Sequence, residues 1–178
     1  RVNRVAYACL SPRTDAGVLA EAARRLDIEP LAFVAADEAG VPVYHTNVMM
    51  SIGEELAFIC DGAIGDADQR RAVLAKLSDS GREIISLSYA QLAAFAGNML
   101  EVRSGAGKRQ LVMSKQAYQS LDAAQARRVM DNGGVVTSPL DTIEAAAGGS
   151  ARCMLAEVHL PKVDQANPAG GQGDTNDA

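Results

Sequence analysis

Cys153 ends the stretch Gly148-Gly149-Ser150-Ala151-Arg152 and opens the apolar run Met154-Leu155-Ala156. A thiol reached through small residues can be approached closely by backbone groups and by a ligand. Far upstream, His45 holds a similar place, in Tyr44-His45-Thr46-Asn47 ahead of Val48-Met49-Met50. A cysteine and a histidine at two strand mouths are the residue types of covalent catalysis. The thiolate attacks an electrophilic carbon and the imidazole carries the proton. Arg152, next to the thiol, favours the anionic sulfur. Cys9 and Cys60 lie inside apolar strands instead, and read as small buried hydrophobes.

Two further residues belong to the candidate site. Asn98 follows Phe95-Ala96-Gly97 at a third strand mouth, where it either tolerates a left-handed turn or lines a pocket. Arg13, in Ser11-Pro12-Arg13-Thr14, sits just past a strand end and offers a planar fork to a carboxylate. His159 reads as a strand residue with no such setting.

The elements that position these residues repeat. Asn47–Ile52, Asn98–Val102 and Cys153–Val158 are similar segments, and each of the first two leads through a short polar turn to a second apolar run, Leu56–Cys60 and Gln110–Ser114. A helix and a closing strand follow. Asp66 with Gln69 three residues on has the form of a capping box, Val73, Leu74 and Leu77 share a helix face, and Gly81 stops the helix before the strand Ile84–Leu87. In the next unit Ser120 or Asp122 caps a helix through Val129 and Met130, and Asn132-Gly133-Gly134 ends it ahead of Val135-Val136-Thr137. The opening stretch fits the same scheme without its first strand. Strand 4–10 leads to a helix capped by Thr14 or Asp15, carrying Val18, Leu19, Ala22 and Leu26, and then to strand 31–35. The expected class is α/β, built from ββαβ units of a length typical of propellers, with Cys153 opening the first strand of a further unit.

Composition narrows the function classes. A chain of 178 residues holds one domain with a real core, and a hydrophobic content of 48% with 22% charged residues is that of a globular protein. The net charge of -5 argues against a nucleic-acid partner. Arg24-Arg25, Arg70-Arg71 and Arg127-Arg128 read as solvated helix faces. Three widely spaced cysteines make no disulfide framework, and two histidines without Cys-x-x-Cys spacing argue against a metal. No apolar run is long enough for a membrane span, and no signal peptide is read, so a cytoplasmic location is expected. The start at Arg1, running directly into a strand, reads as a cut through a larger protein. Residues 1–162 are expected to be part of a single catalytic domain, and the Gly-, Asp-, Asn- and Gln-rich stretch 163–178 a disordered tail.

Four blocks taken together resemble a known family: Ala6-Tyr7-Ala8-Cys9-Leu10-Ser11-Pro12-Arg13-Thr14, Tyr44–Met50, Phe95–Glu101 and Gly148–Met154. They are similar to the citrulline-utilisation hydrolases of the guanidine-modifying amidinotransferase superfamily, which also holds arginine deiminase and dimethylarginine dimethylaminohydrolase. The resemblance implies a five-bladed α/β propeller (pentein) of ββαβ units around a polar pocket, with about three of the five blades present. It implies Cys153 as nucleophile, His45 as general acid/base, Arg13 near the substrate carboxylate, a small amino-acid substrate and no cofactor. The acidic residues that hold the substrate nitrogens in the family belong to blades ahead of Arg1. Where arginine deiminase has an acid two residues after its histidine, this chain has Asn47.

The implied activity is hydrolysis at the ureido or guanidino carbon of citrulline or an arginine-like substrate through a covalent adduct on Cys153. Two alternatives stand beside it. One is amidino transfer to an amine on the same scaffold, and the other is an inactive fragment lacking the acidic partners of the substrate.

Overall fold

The computed structural model describes residues 4–157. His159 and the stretch 163–178 lie outside the described residues. The chain begins with a parallel pair, β1 (Val5–Cys9) and β2 (Glu29–Phe33), in register from Val5 opposite Glu29 to Cys9 opposite Phe33. Parallel neighbours need a crossover, here α1 (Ala16–Leu26). Of the two cap residues expected, Asp15 takes the role, its carboxylate accepting from the Val18 N–H at 2.9 Å.

Two units of one design follow. In the first, β3 (Met50–Ile52) pairs antiparallel with β4 (Leu56–Ile59), and α3 (Ala67–Asp79) carries the chain to β5 (Glu83–Ser86), parallel to β4. In the second, β6 (Leu100–Arg103) and β7 (Arg109–Ser114) form the hairpin. Beyond β7, α6 (Ala123–Asp131) leads to β8 (Val135–Ser138), parallel to β7. The expected ββαβ repeat is thus present as two three-stranded sheets, with the first pair as a third, two-stranded one.

One apolar cluster spans all three sheets. β4 is buried at every position, as a central strand covered on both faces must be. Phe33, Phe58, Ile59 and Met113 pack there with Val73 and Leu77 of α3 and Val129 of α6. Cys9 and Cys60 belong to this cluster, as expected of them. Burial pushes both thiols above their ordinary pKa. Between the two three-stranded sheets, Arg103 and Arg109 pair with Glu54 and Glu55, and Arg128 pairs with Glu83. These pairs are half-exposed, so they fix orientation more than they add stability.

Several expectations need correction. The strands of the repeat begin later than the apolar runs suggest, at Met50 and at Leu100. Residues before Met50 instead form a single helical turn, α2 (Thr46–Met49), with His45 at its N-cap. That turn is held from outside, because the Thr46 hydroxyl accepts from the Cys9 N–H of β1 at 2.9 Å. Cys153 does not open a strand. It lies in a 3-10 turn, Ala151–Met154, and its N–H bonds the Ser150 carbonyl at 3.0 Å. Residues 155–157 join no sheet among the described residues, and a strand without a neighbour has no ladder to hold it.

At α3 the capping box is only half made. Asp66 caps the Asp68 and Gln69 N–H groups, while the Gln69 side chain turns away to accept from the Val34 N–H at 2.8 Å. At α6 the box is complete, with Asp122 and not Ser120 as the cap. Three further short helices were not expected: α4 (Tyr89–Ala93), α5 (Lys115–Ser120) and α7 (Asp141–Ala147). Five to seven residues carry too little period to be read as helix.

Candidate active site

Cys153 is a solvent-exposed residue, unlike the other two cysteines. What precedes it explains why. α7 ends at Gly148, whose φ of 64° is the left-handed geometry that glycine adopts without strain. The chain then turns through Gly149 into the 3-10 turn. A Cβ on Gly149 would stand 3.3 Å from the sulfur, so a larger residue here would crowd the thiol. Beneath the loop, the wholly buried Ser150 donates to the buried Glu144 of α7 at 2.6 Å, and the second carboxylate oxygen of Glu144 has no hydrogen-bond partner. This bond fixes the loop to its own helix.

Asn98 is fully buried and ties three segments together. Its amide nitrogen donates to the Asn47 carbonyl at 2.8 Å and faces the Cys153 sulfur at 3.2 Å. Its oxygen accepts from the Arg152 N–H at 3.0 Å. The turn that delivers Asn98 includes Phe95 at a φ of 62° and presses Gly97 against α2. A Cβ at Gly97 would come within 2.5 Å of the Val48 carbonyl oxygen. Asn47, on α2, directs its own amide nitrogen at the same sulfur from 3.8 Å, and its carbonyl oxygen Oδ1 is buried without a partner. Two carboxamide donors therefore converge on the sulfur.

His45 is linked to the cysteine loop through its neighbour Tyr44. Its ring meets the Tyr44 ring edge-on, with centroids 4.9 Å apart. The Tyr44 hydroxyl donates to the Gly148 carbonyl of the cysteine loop, so the histidine segment and the cysteine segment are joined directly. Ser11 donates to the Tyr44 carbonyl at 2.8 Å, holding the segment to the end of β1. Arg13, exposed at that same end, lies with its guanidinium 5.2 Å from the Tyr44 ring centre, within cation–π range.

The structure thus brings Asn98 against Cys153, and Arg13 and His45 against Tyr44. Among the described residues no hydrogen bond joins His45 to Cys153. The Arg152 guanidinium bonds the Leu155 carbonyl at 3.0 Å instead of the sulfur, so its expected help to the thiolate is not a direct contact. Asn47 and Arg152 also border a cleft of about 930 Å³ between the two hairpins, lined further by Glu54, Arg82, Glu101 and Glu157. Among the described residues no cluster of His, Cys, Asp and Glu is placed to hold a metal, and no helix is long and apolar enough to cross a membrane.

Sequence reasoning missed Tyr44, Ser150 and Glu144. Tyr44 adjoins the histidine, which was a usable signal. The pairing of Glu144 with Ser150 is a tertiary consequence of the glycine turn and left no pattern.

Solved structures of ArgZ, an arginine dihydrolase of the ornithine-ammonia cycle in Cyanobacteria, match 84% of the chain. The apo enzyme superposes with a TM-score of 0.65 at 20% identity, over 22% of its own length. The N-terminal domain of a cysteine-to-serine variant bound to substrate gives 0.62 at 20%, over 49% of that chain. An asparagine-to-serine variant covalently bonded to a reaction intermediate gives 0.64 at 21%, over 50%. The chain therefore spans half or less of the ArgZ chains it matches. No curated protein matches it in sequence. Residues 1–160 match the family described as N,N dimethylarginine dimethylhydrolase, eukaryotic, and the chain belongs to that family.

Proposed function

We propose that this chain supplies the cysteine- and histidine-bearing part of a hydrolase that cleaves a C–N bond at a ureido or guanidino carbon. The observation that carries the reading is the sulfur of Cys153, faced by two carboxamide nitrogens at 3.2 and 3.8 Å, in a loop bonded to the segment of His45. Family membership and the ArgZ structure holding a covalent intermediate support the same chemistry.

The Cys153 thiolate attacks the central carbon and its C–S bond forms. His45 protonates the departing nitrogen as the C–N bond breaks, so a neutral amine leaves. A thiocarbamoyl or thiouronium adduct remains. Neutral His45 then takes a proton from water, whose oxygen displaces the sulfur. With citrulline the hydrolysed adduct is a carbamate, whose remaining C–N bond breaks as carbon dioxide is lost, so the products are ornithine, ammonia and carbon dioxide. Arg13 receives the substrate carboxylate and Asn98 lines the pocket. The ββαβ units belong to a ring closed by sequence of the same design, in the manner of a five-bladed propeller, which hides the open sheet edges.

The test is mass spectrometry of the full-length protein, acid-quenched during turnover of citrulline, arginine or N-methylated arginines. An adduct on the Cys153 peptide, absent from Cys153→Ser, is expected. Turnover by Cys153→Ser, or an adduct on Cys9 or Cys60, overturns the assignment. Product formed only when an amine acceptor is added would instead identify amidino transfer. Absence of both adduct and product would identify an inert chain.

A further inference from the structure

Resting on the reading of Cys153 and His45 as the reacting pair, we propose that Tyr44 is a positioning residue that sets the histidine and the thiol relative to each other. Its side chain touches three parts of the site. Its hydroxyl donates to the Gly148 carbonyl, the hinge of the cysteine loop. Its ring meets the His45 imidazole edge-on at 4.9 Å and lies under the Arg13 guanidinium at 5.2 Å. Its own backbone carbonyl is held by Ser11, so the phenol projects from a fixed base at the end of β1.

The geometry separates two jobs. The hydroxyl governs only the distance between the His45 segment and the cysteine loop. The Ser150–Glu144 bond fixes the loop to α7, and the Tyr44 hydroxyl fixes it to the His45 segment. The ring governs where the imidazole and the guanidinium sit. Removing the hydroxyl while keeping the ring must therefore disturb the reacting pair and leave the Arg13 contact intact. Removing the ring must disturb both.

The experiment compares Tyr44→Phe and Tyr44→Leu in the full-length protein, measuring kcat and KM on citrulline, arginine and N-methylated arginines. Peptide-resolved iodoacetamide labelling of Cys153, Cys9 and Cys60 accompanies the kinetics. Tyr44→Phe is expected to lower kcat about tenfold, the net worth of one hydrogen bond, with KM changing less than about twofold. Labelling of Cys153 at neutral pH should slow about threefold as the loop drifts from the Asn47 and Asn98 donors, with the buried thiols unaffected. Tyr44→Leu is expected to lower kcat further and to raise KM as well.

Wild-type kinetics in Tyr44→Phe would overturn the proposal. So would a loss of kcat matched by faster labelling of Cys9 and Cys60, because that result assigns Tyr44 to general stability. If the wild-type protein turns over none of the substrates, the reading of the reaction fails separately. The labelling of Cys153 in Tyr44→Phe then decides for or against the clamp.

Discussion

Replacing Asn98 tests the site at its most connected point. In Asn98→Ala the Asn47 carbonyl and the Arg152 N–H both lose their partner, and the sulfur loses its nearer donor. Each partly buried group left unpaired costs about 1–1.5 kcal/mol. The void left by a side chain that is wholly buried adds about 1 kcal/mol. The expected loss is about 3–4 kcal/mol, a large share of the ~5–15 kcal/mol that holds an ordinary domain together. Urea unfolding measures it as a fall in midpoint at constant slope. Asn98→Asp then tests the effect of charge beside the sulfur, while also removing the donor to the Asn47 carbonyl. It keeps the volume and the acceptor for Arg152, but it places an anionic oxygen where a donor stood 3.2 Å from the sulfur. Two like charges at such range repel by a few kcal/mol at an effective dielectric near ~20, so alkylation of Cys153 at neutral pH should slow by at least about tenfold. If Asn98→Ala unfolds within about 0.5 kcal/mol of the parent, or Asn98→Asp leaves the alkylation rate unchanged, the carboxamide is not the hub argued for it.

Two other perturbations follow from the same geometry. In Gly97→Ala the new methyl would sit 2.5 Å from the Val48 carbonyl oxygen and 2.7 Å from the Met49 carbonyl carbon, both backbone atoms that cannot rotate away. A loss of about 2–3 kcal/mol is expected, seen as a melting temperature lower by about 5–10 °C, and an unchanged melt would refute the close approach. Alkaline pH should destabilise the fold through Cys9 and Cys60, whose pKa values burial raises. The unfolded chain then releases these protons first. Stability is therefore full below the ordinary thiol pKa of about 8.5 and falls as pH rises past it, by at most about 1.4 kcal/mol per pH unit for each thiol. Urea midpoints between pH 7 and 10 measure the effect. Replacing both residues by Ala should flatten the slope, and an unchanged slope would exclude them as its source.

The strands and long helices could be read from the sequence because local signals and burial agree there. Asp66 and Asp122 cap where their side chains reach the helix N–H groups, and Val73, Leu77 and Val129 face the core their spacing points to. The reading failed where tertiary partners decide the backbone. Val48-Met49-Met50 looks like the start of a strand, but Thr46 is engaged by β1 and draws the first part into a helical turn. Met154-Leu155-Ala156 also has strand composition. Composition cannot supply the neighbouring strand on which pairing depends, and among the described residues the segment adopts a 3-10 turn and joins no sheet.

The repeat itself carries the most informative part of the site. Asn47, Asn98 and Cys153 head three similar segments of the sequence, and the hydrogen bonds join these same three residues. The heads of the similar segments thus meet at one point, and their contact puts two carboxamides on the sulfur. His45 lies two residues before the head of its own segment. Residues two apart on a helical turn do not face the same way, so the repeat alone does not aim the imidazole at the thiol. What links them is particular to this unit: α2 as a helical turn, and Tyr44 spanning from the histidine to Gly148. The donors to the sulfur sit at matching positions of similar segments, whereas His45 is tied to the cysteine loop through contacts particular to Tyr44.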